Sequence, residues 1–119
     1  MARAWASSFV RARDAVYRLS KELGFAVHTF SSGEEFLASG YVLQTKCLIL
    51  DIAMPGMSGP DLQRELKRRR QEIPIVFITG HGDDTVRPHL IQQGAVECLF
   101  KPFTESALLG AINAALRVG

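Results

Sequence analysis

With 119 residues, 47% of them hydrophobic and 22% charged, the chain is long enough for one ordinary core and too short for two, so residues 1–119 are read as a single domain. A formal net charge of +2 gives no strongly basic surface for nucleic acid and no acidic tail. No run reaches the ~18 apolar residues of a membrane span. Cys47 and Cys98 lack a CxxC partner or a histidine at ligand spacing, and so read as free buried thiols of a cytoplasmic protein.

The first predicted element is a strand over Ala2–Ala6, preceding Ser7 and Ser8. It is atypical, because Trp5 is its one strong β-former; a frayed start and an exchanged strand are the alternatives. Ala12, Val16, Leu19 and Leu23 recur at helical spacing, and Gly24 stops that helix. Phe25–Phe30 is β-prone, and Ser31-Ser32-Gly33-Glu34-Glu35 opens a short helix with a serine cap and early acids. Cys47–Asp51 is a continuous apolar run of the kind buried on both faces of a sheet.

A Pro/Gly turn follows, and Leu62 and Leu66 mark the third helix. Its basic end, Arg64, Lys67, Arg68, Arg69 and Arg70, is a solvated terminus that suits the helix dipole. Ile73–Thr79 is predicted as the fourth strand, with Pro74 near its start, where a missing N–H is tolerated. Pro88 places the start of the fourth helix near itself, or distorts its first turn. Gly94–Phe100 forms the fifth strand, and a last helix from about Thr104 buries Leu108, Ile112, Ala115 and Leu116. Strands alternating with helices imply a doubly wound α/β fold, its parallel sheet covered on both faces.

Three strand ends carry chemistry. Asp51 closes the third strand just before Ala53-Met54-Pro55-Gly56, Thr79 closes the fourth 28 residues later, and Lys101 follows the fifth at 50. Singly, an Asp caps turns, a Thr favours strands and a Lys-Pro pair means little. Together they line the carboxyl edge of a parallel sheet, where such folds bind and react.

In that order, and in the stretches DIAMPGMSG, FITGHGD, QQGAVECLFKPF and GFAVHTFSSGEEFL, the chain resembles the receiver domain of two-component response regulators, most closely the FixJ-like group. The resemblance implies a flavodoxin-like, five-stranded sheet of order 2-1-3-4-5. It also implies Asp51 as phosphoacceptor, Thr79 as the hydroxyl that turns towards the phosphoryl group, Lys101 as the cation on its oxygens, and a cis Lys101–Pro102 bond. Mg²⁺ would be held by Asp51, the Ala53 backbone carbonyl and an acidic pair, with a sensor histidine kinase as phosphoryl donor. Homodimerisation would use the face of the fourth helix, fifth strand and fifth helix. DNA binding would come only from an output domain outside this chain, and the domain itself is expected not to be an enzyme.

Two departures shape the expected function. The acidic pair lies 43 and 44 residues before the phosphoacceptor in the family, and those positions hold Ser8 and Ser7. The matching of Ala12-Arg13-Asp14-Ala15 and Gly24 to the family's first helix fixes that alignment. Neither Asp14, Asp83 nor Asp84 can project from the first strand's end in their place. Serine hydroxyls are poor ligands for a hard divalent ion, so Mg²⁺ binding and phosphorylation are expected to be impaired. Cys98 stands where the family's aromatic switch residue lies, while His81, two after Thr79, matches the group. The alternative is a phosphorylation-independent pseudo-receiver that acts as an interaction or dimerisation module.

Overall fold

A computed structural model describes residues 5–9, 22, 24, 26–30, 32–52, 56–80 and 86–118. Its elements run β1 (Trp5–Phe9), β2 (Ala26–Phe30), α1 (Gly33–Ala38), a 3₁₀ turn (Val42–Gln44), β3 (Cys47–Asp51), α2 (Gly59–Arg68), β4 (Ile75–Thr79), α3 (Val86–Gln92), β5 (Glu97–Phe100) and α4 (Glu105–Val118). The five strands form one parallel sheet of order β2-β1-β3-β4-β5. Successive residues of a strand face opposite sides, so β3 feeds two cores. Leu48 and Leu50 pack with Phe36, Leu62, Leu66 and Leu90 on one face, while Cys47 and Ile49 pack with Leu108, Ile112 and Ala115 on the other.

The caps follow the local sequence. Ser32 accepts from the Glu35 N–H at 3.1 Å to start α1. Ser58 and Asp61 form a reciprocal capping box ahead of α2, with Pro60 in its first turn, where no intrahelical N–H is needed. Gly24, the predicted helix stop, has a left-handed φ of 91°, whereas the predicted first helix itself (Ala12, Val16, Leu19, Leu23) lies outside the described residues.

Several predicted boundaries move, each for a physical reason. β1 is Trp5–Phe9 rather than Ala2–Ala6; the segment gains a second aromatic β-former, Phe9, by running through the serine pair. β4 starts at Ile75, just after Pro74, which lacks a ladder N–H. β5 starts at Glu97, because Gly94, at φ 108°, is used to end α3, with the Ala95 N–H returning to the Leu90 carbonyl at 3.0 Å. α3 begins at Val86, two residues before Pro88, so that the proline falls within a first turn whose N–H groups have no helical partner. Leu116 is partly rather than fully buried, packed against the α4 cluster.

Candidate functional site

Asp51 is the last residue of β3, level with Ile78 on β4, and Thr79 is the last residue of β4, level with Phe100 on β5. Pairing continues beyond the strands: the Ile52 N–H donates to the Ile78 carbonyl at 3.2 Å, and the Lys101 N–H to the Thr79 carbonyl at 2.9 Å. Asp51, Thr79 and Lys101 therefore occupy three adjacent strand ends at the carboxyl edge. Thr79 is buried, and Asp51 and Lys101 are half-buried. The Lys101–Pro102 bond is cis.

The turn after Asp51 is held closely. The Gly59 N–H donates to the Ile52 carbonyl at 3.1 Å, and a Cβ on Gly59 would lie 2.5 Å from the Asp51 carbonyl oxygen and 2.8 Å from Cε1 of Phe77. Glycine is required there by close approach. Gly56 has φ 71°, and Glu34 on α1 reaches across to accept the Met57 N–H at 3.2 Å. Sequence reading registers Glu34 only as an early helix acid; nothing local signals a partner 23 residues away. Ala53, whose carbonyl the resemblance assigns to the metal, and His81 lie outside the described residues.

Ser7 and Ser8 lie inside β1, level with Leu48 and Ile49 of β3, so Ser8 is two residues short of Asp51, or about 7 Å along the strand. β1 is as long as the expected Ala2–Ala6 but runs three residues later, through the serine pair. The ion pairs among the described residues are Asp61–Arg64, Glu65–Arg68, Glu65–Arg69 and Arg87–Glu97, and Asp51–Lys101 is not one of them. Lys101 is positioned by its backbone bond to Thr79 rather than by the carboxylate.

Cys98 on β5 is buried in the same core as Phe77 and Leu90. Burial first, and the neighbouring Glu97 second, push its thiol above the ordinary range, with Arg87 acting in the opposite sense. Glu97 Oε1 accepts from Arg87 Nε at 3.0 Å and Nη2 at 2.7 Å, and also from the Cys98 N–H at 2.9 Å. This clamp joins α3 to β5 beside the predicted switch position. Its sequence signal, an Arg and a Glu ten residues apart on different elements, is invisible without the fold.

The family model of the response regulator receiver domain matches residues 10–113. The chain belongs to that family. Among relatives of this receiver, it is 47% identical over 105 residues to the response regulator protein TodT of Pseudomonas putida, covering 88% of this chain and 46% of TodT. It is 35% identical over 104 residues to the transcriptional regulatory protein FixJ of Azorhizobium caulinodans, covering 87% of this chain and 49% of FixJ. The chain spans about half the length of the curated relatives it matches. Among solved structures, the response regulator StyR superposes with a TM-score of 0.85 at 40% identity, over 97% of this chain and 60% of StyR. FixJ-N superposes with a TM-score of 0.78 at 33% identity, over 98% of this chain and 96% of FixJ-N. The FixJ-like grouping and the flavodoxin-like receiver fold are thereby established, and the chain is a two-component response-regulator receiver. The family match begins at Val10, after Ser7 and Ser8.

Receiver domains generally bind Mg²⁺ at the phosphorylation site. Among the described residues, no group of three or more His, Cys, Asp and Glu side chains is arranged to hold a metal ion. At the carboxyl edge they supply one carboxylate, Asp51, beside the cation Lys101. A donor set of that composition does not fit a hard divalent ion, which demands several oxygen ligands and favours anionic ones. Among the described residues no helix is long and apolar enough to cross a membrane.

Proposed function

We propose that this receiver carries its phosphoacceptor, Asp51, in a pocket whose phosphorylation is impaired. In the transfer itself, a carboxylate oxygen of Asp51 attacks phosphorus while the bond from phosphorus to the donor breaks, giving an acyl phosphate and releasing the donor. A sensor kinase's phosphohistidine fits that donor role. Lys101 then faces the new phosphoryl oxygens, and Thr79 supplies a hydroxyl hydrogen bond to them.

Phosphoryl transfer depends chiefly on charge neutralisation and in-line positioning. A divalent ion about 4 Å from one carboxylate gains about 8 kcal/mol at an effective dielectric of 20, so each missing acid weakens metal binding severely. The observation that carries the reading is the position of Ser7 and Ser8, level with Leu48 and Ile49, where an ordinary receiver has acids beside its phosphoacceptor. Among the described residues of that edge, Lys101 is the cation left to offset the phosphoryl charge.

A second reading, a phosphorylation-independent interaction module, is favoured by the Arg87–Glu97 clamp and by buried Cys98. Cys98 cannot supply the aromatic rotamer that the family uses at that position to report on the phosphoacceptor. Self-association through α3, β5 and α4 suits that role, with any DNA contact made by an output domain outside this chain. Incubation with acetyl phosphate, followed by intact-mass measurement with and without Mg²⁺, tests the leading reading. Little or no modification is expected in either case. Full Mg²⁺-dependent modification, lost in Asp51→Asn, would restore an ordinary receiver.

A further inference from the structure

At the amino edge of the sheet, opposite Asp51, a cavity of about 570 Å³ opens between the end of α2, the segment entering β4 and the turn after α3. That volume falls within the usual range of small-molecule sites. Leu66, Ile75 and Val96 give it an apolar lining, and Gln63, Gln71 and Gln93 add amides.

Three observations make it more than a crevice. Lys67 and Arg70 both line it, yet the ion pairs of α2 engage Arg64, Arg68 and Arg69 and leave these two without a carboxylate among the described residues. Against them stands one acid of the lining, Glu72. Two cations and one carboxylate leave the cavity with an excess positive charge.

Second, Arg70 has φ 58°. It occupies the position after the helix where a chain reversing in this way favours glycine, with the Gln71 N–H returning to the Leu66 carbonyl at 2.9 Å. A bulky residue held there is strained, and such strain marks functional positions. Across the mouth, Lys67 lies beside Gly94: a Cβ there would sit in ordinary van der Waals contact, 3.8 Å from Lys67 Cε and 3.9 Å from Nζ.

Third, Gln63 is only 5% exposed. Its Nε2 donates to the Gln93 carbonyl at 3.3 Å, while its amide oxygen accepts no hydrogen bond among the described residues. Buried polar atoms are rarely left so.

We propose that this cavity binds a small organic anion. A carboxylate or phosphate head pairs with Lys67 and Arg70, an apolar body lies on Leu66, Ile75 and Val96, and an N–H or O–H of the ligand donates to Gln63. The cavity is separated from the phosphoacceptor edge by the length of β4, so this site stands independently of the phosphorylation reading.

The test is an amide-resolved NMR titration of the whole chain. Its probes are para-hydroxybenzoate for the carboxylate source, adenosine monophosphate for the phosphate-ester source, inorganic phosphate for the head alone and para-hydroxybenzyl alcohol for the neutral body. Saturable shifts at the Gln63 side chain and the Gly94 amide are expected with at least one organic anion, and the anion that binds more tightly identifies the source. Inorganic phosphate and the neutral alcohol should bind about tenfold more weakly. Lys67→Gln and Arg70→Gly should each weaken binding about tenfold, and Arg70→Gly should raise the melting temperature at the same time, which separates lost binding from lost folding. Absence of saturable shifts with both organic anions up to roughly 10 mM, or undiminished binding in both variants, would overturn the proposal.

Discussion

Cys47 shows how burial writes a pH dependence into one residue. It is fully buried among β4 and α4 residues, and burial pushes its thiol from an ordinary value near 9 up to about 12. A folded-state pKa above the unfolded one favours the protonated thiol in the folded protein. Its contribution is therefore complete below pH 9 and is lost as pH rises towards 12. Stability should fall by up to about 1.4 kcal/mol per pH unit in that window on account of this thiol, and urea unfolding of Cys47→Ala should show a shallower alkaline decline than the native chain. Equal slopes would mean that the thiol is not buried as described. Gly59 gives a second residue-scale test. A Cβ at 2.5 Å from the Asp51 carbonyl oxygen and 2.8 Å from the buried Phe77 ring meets neighbours that cannot easily yield, so Gly59→Ala should destabilise by about 1–3 kcal/mol in urea unfolding. Unchanged stability would show that the turn after β3 is looser than this packing implies.

At the scale of elements, β1 decides how much chemistry the carboxyl edge retains. Ser7 and Ser8 stand level with Leu48 and Ile49, at the positions where the family carries its acids, so the double substitution Ser7→Asp, Ser8→Asp should raise Mg²⁺ affinity in calorimetry by restoring two anionic ligands. A folded variant with no gain of Mg²⁺ affinity would mean that the serines are not what weakens the site. The strands β3 and β4 were legible in the sequence because continuous, largely buried apolar runs end in punctuation, Asp51 before Pro55-Gly56 and Thr79 before Gly80, and β5 because Gly94 opens its segment and Lys101-Pro102 closes it. β1 was not, since Trp5 and Phe9 flank small and polar residues that carry no period. Likewise, the bonds from Glu34 to Met57 and from Arg87 to Glu97 join elements distant in sequence, and no local pattern encodes them. The edge positions of Asp51, Thr79 and Lys101 could be read because each is fixed by its own strand's end; the missing Asp51–Lys101 pair could not, because side-chain separation depends on how neighbouring strands are staggered.

Taken as a whole molecule, the doubly wound sheet separates two ends with different chemistry. The amino edge gathers two cations, Lys67 and Arg70, with no ion pair among the described residues, around a cavity, whereas the carboxyl edge presents Asp51, Thr79 and Lys101. Between them lie two cores packed on opposite faces of β3 and β4, which hold both ends whether or not a metal binds. These cores hold the receiver fold, and the proposal for the carboxyl edge is that it binds Mg²⁺ weakly or not at all. Isothermal titration of the native chain with Mg²⁺ addresses it directly. No saturable isotherm is expected below roughly 1 mM, an affinity corresponding to about 4.1 kcal/mol; a saturable isotherm well under that concentration, abolished by Asp51→Asn, would contradict the account.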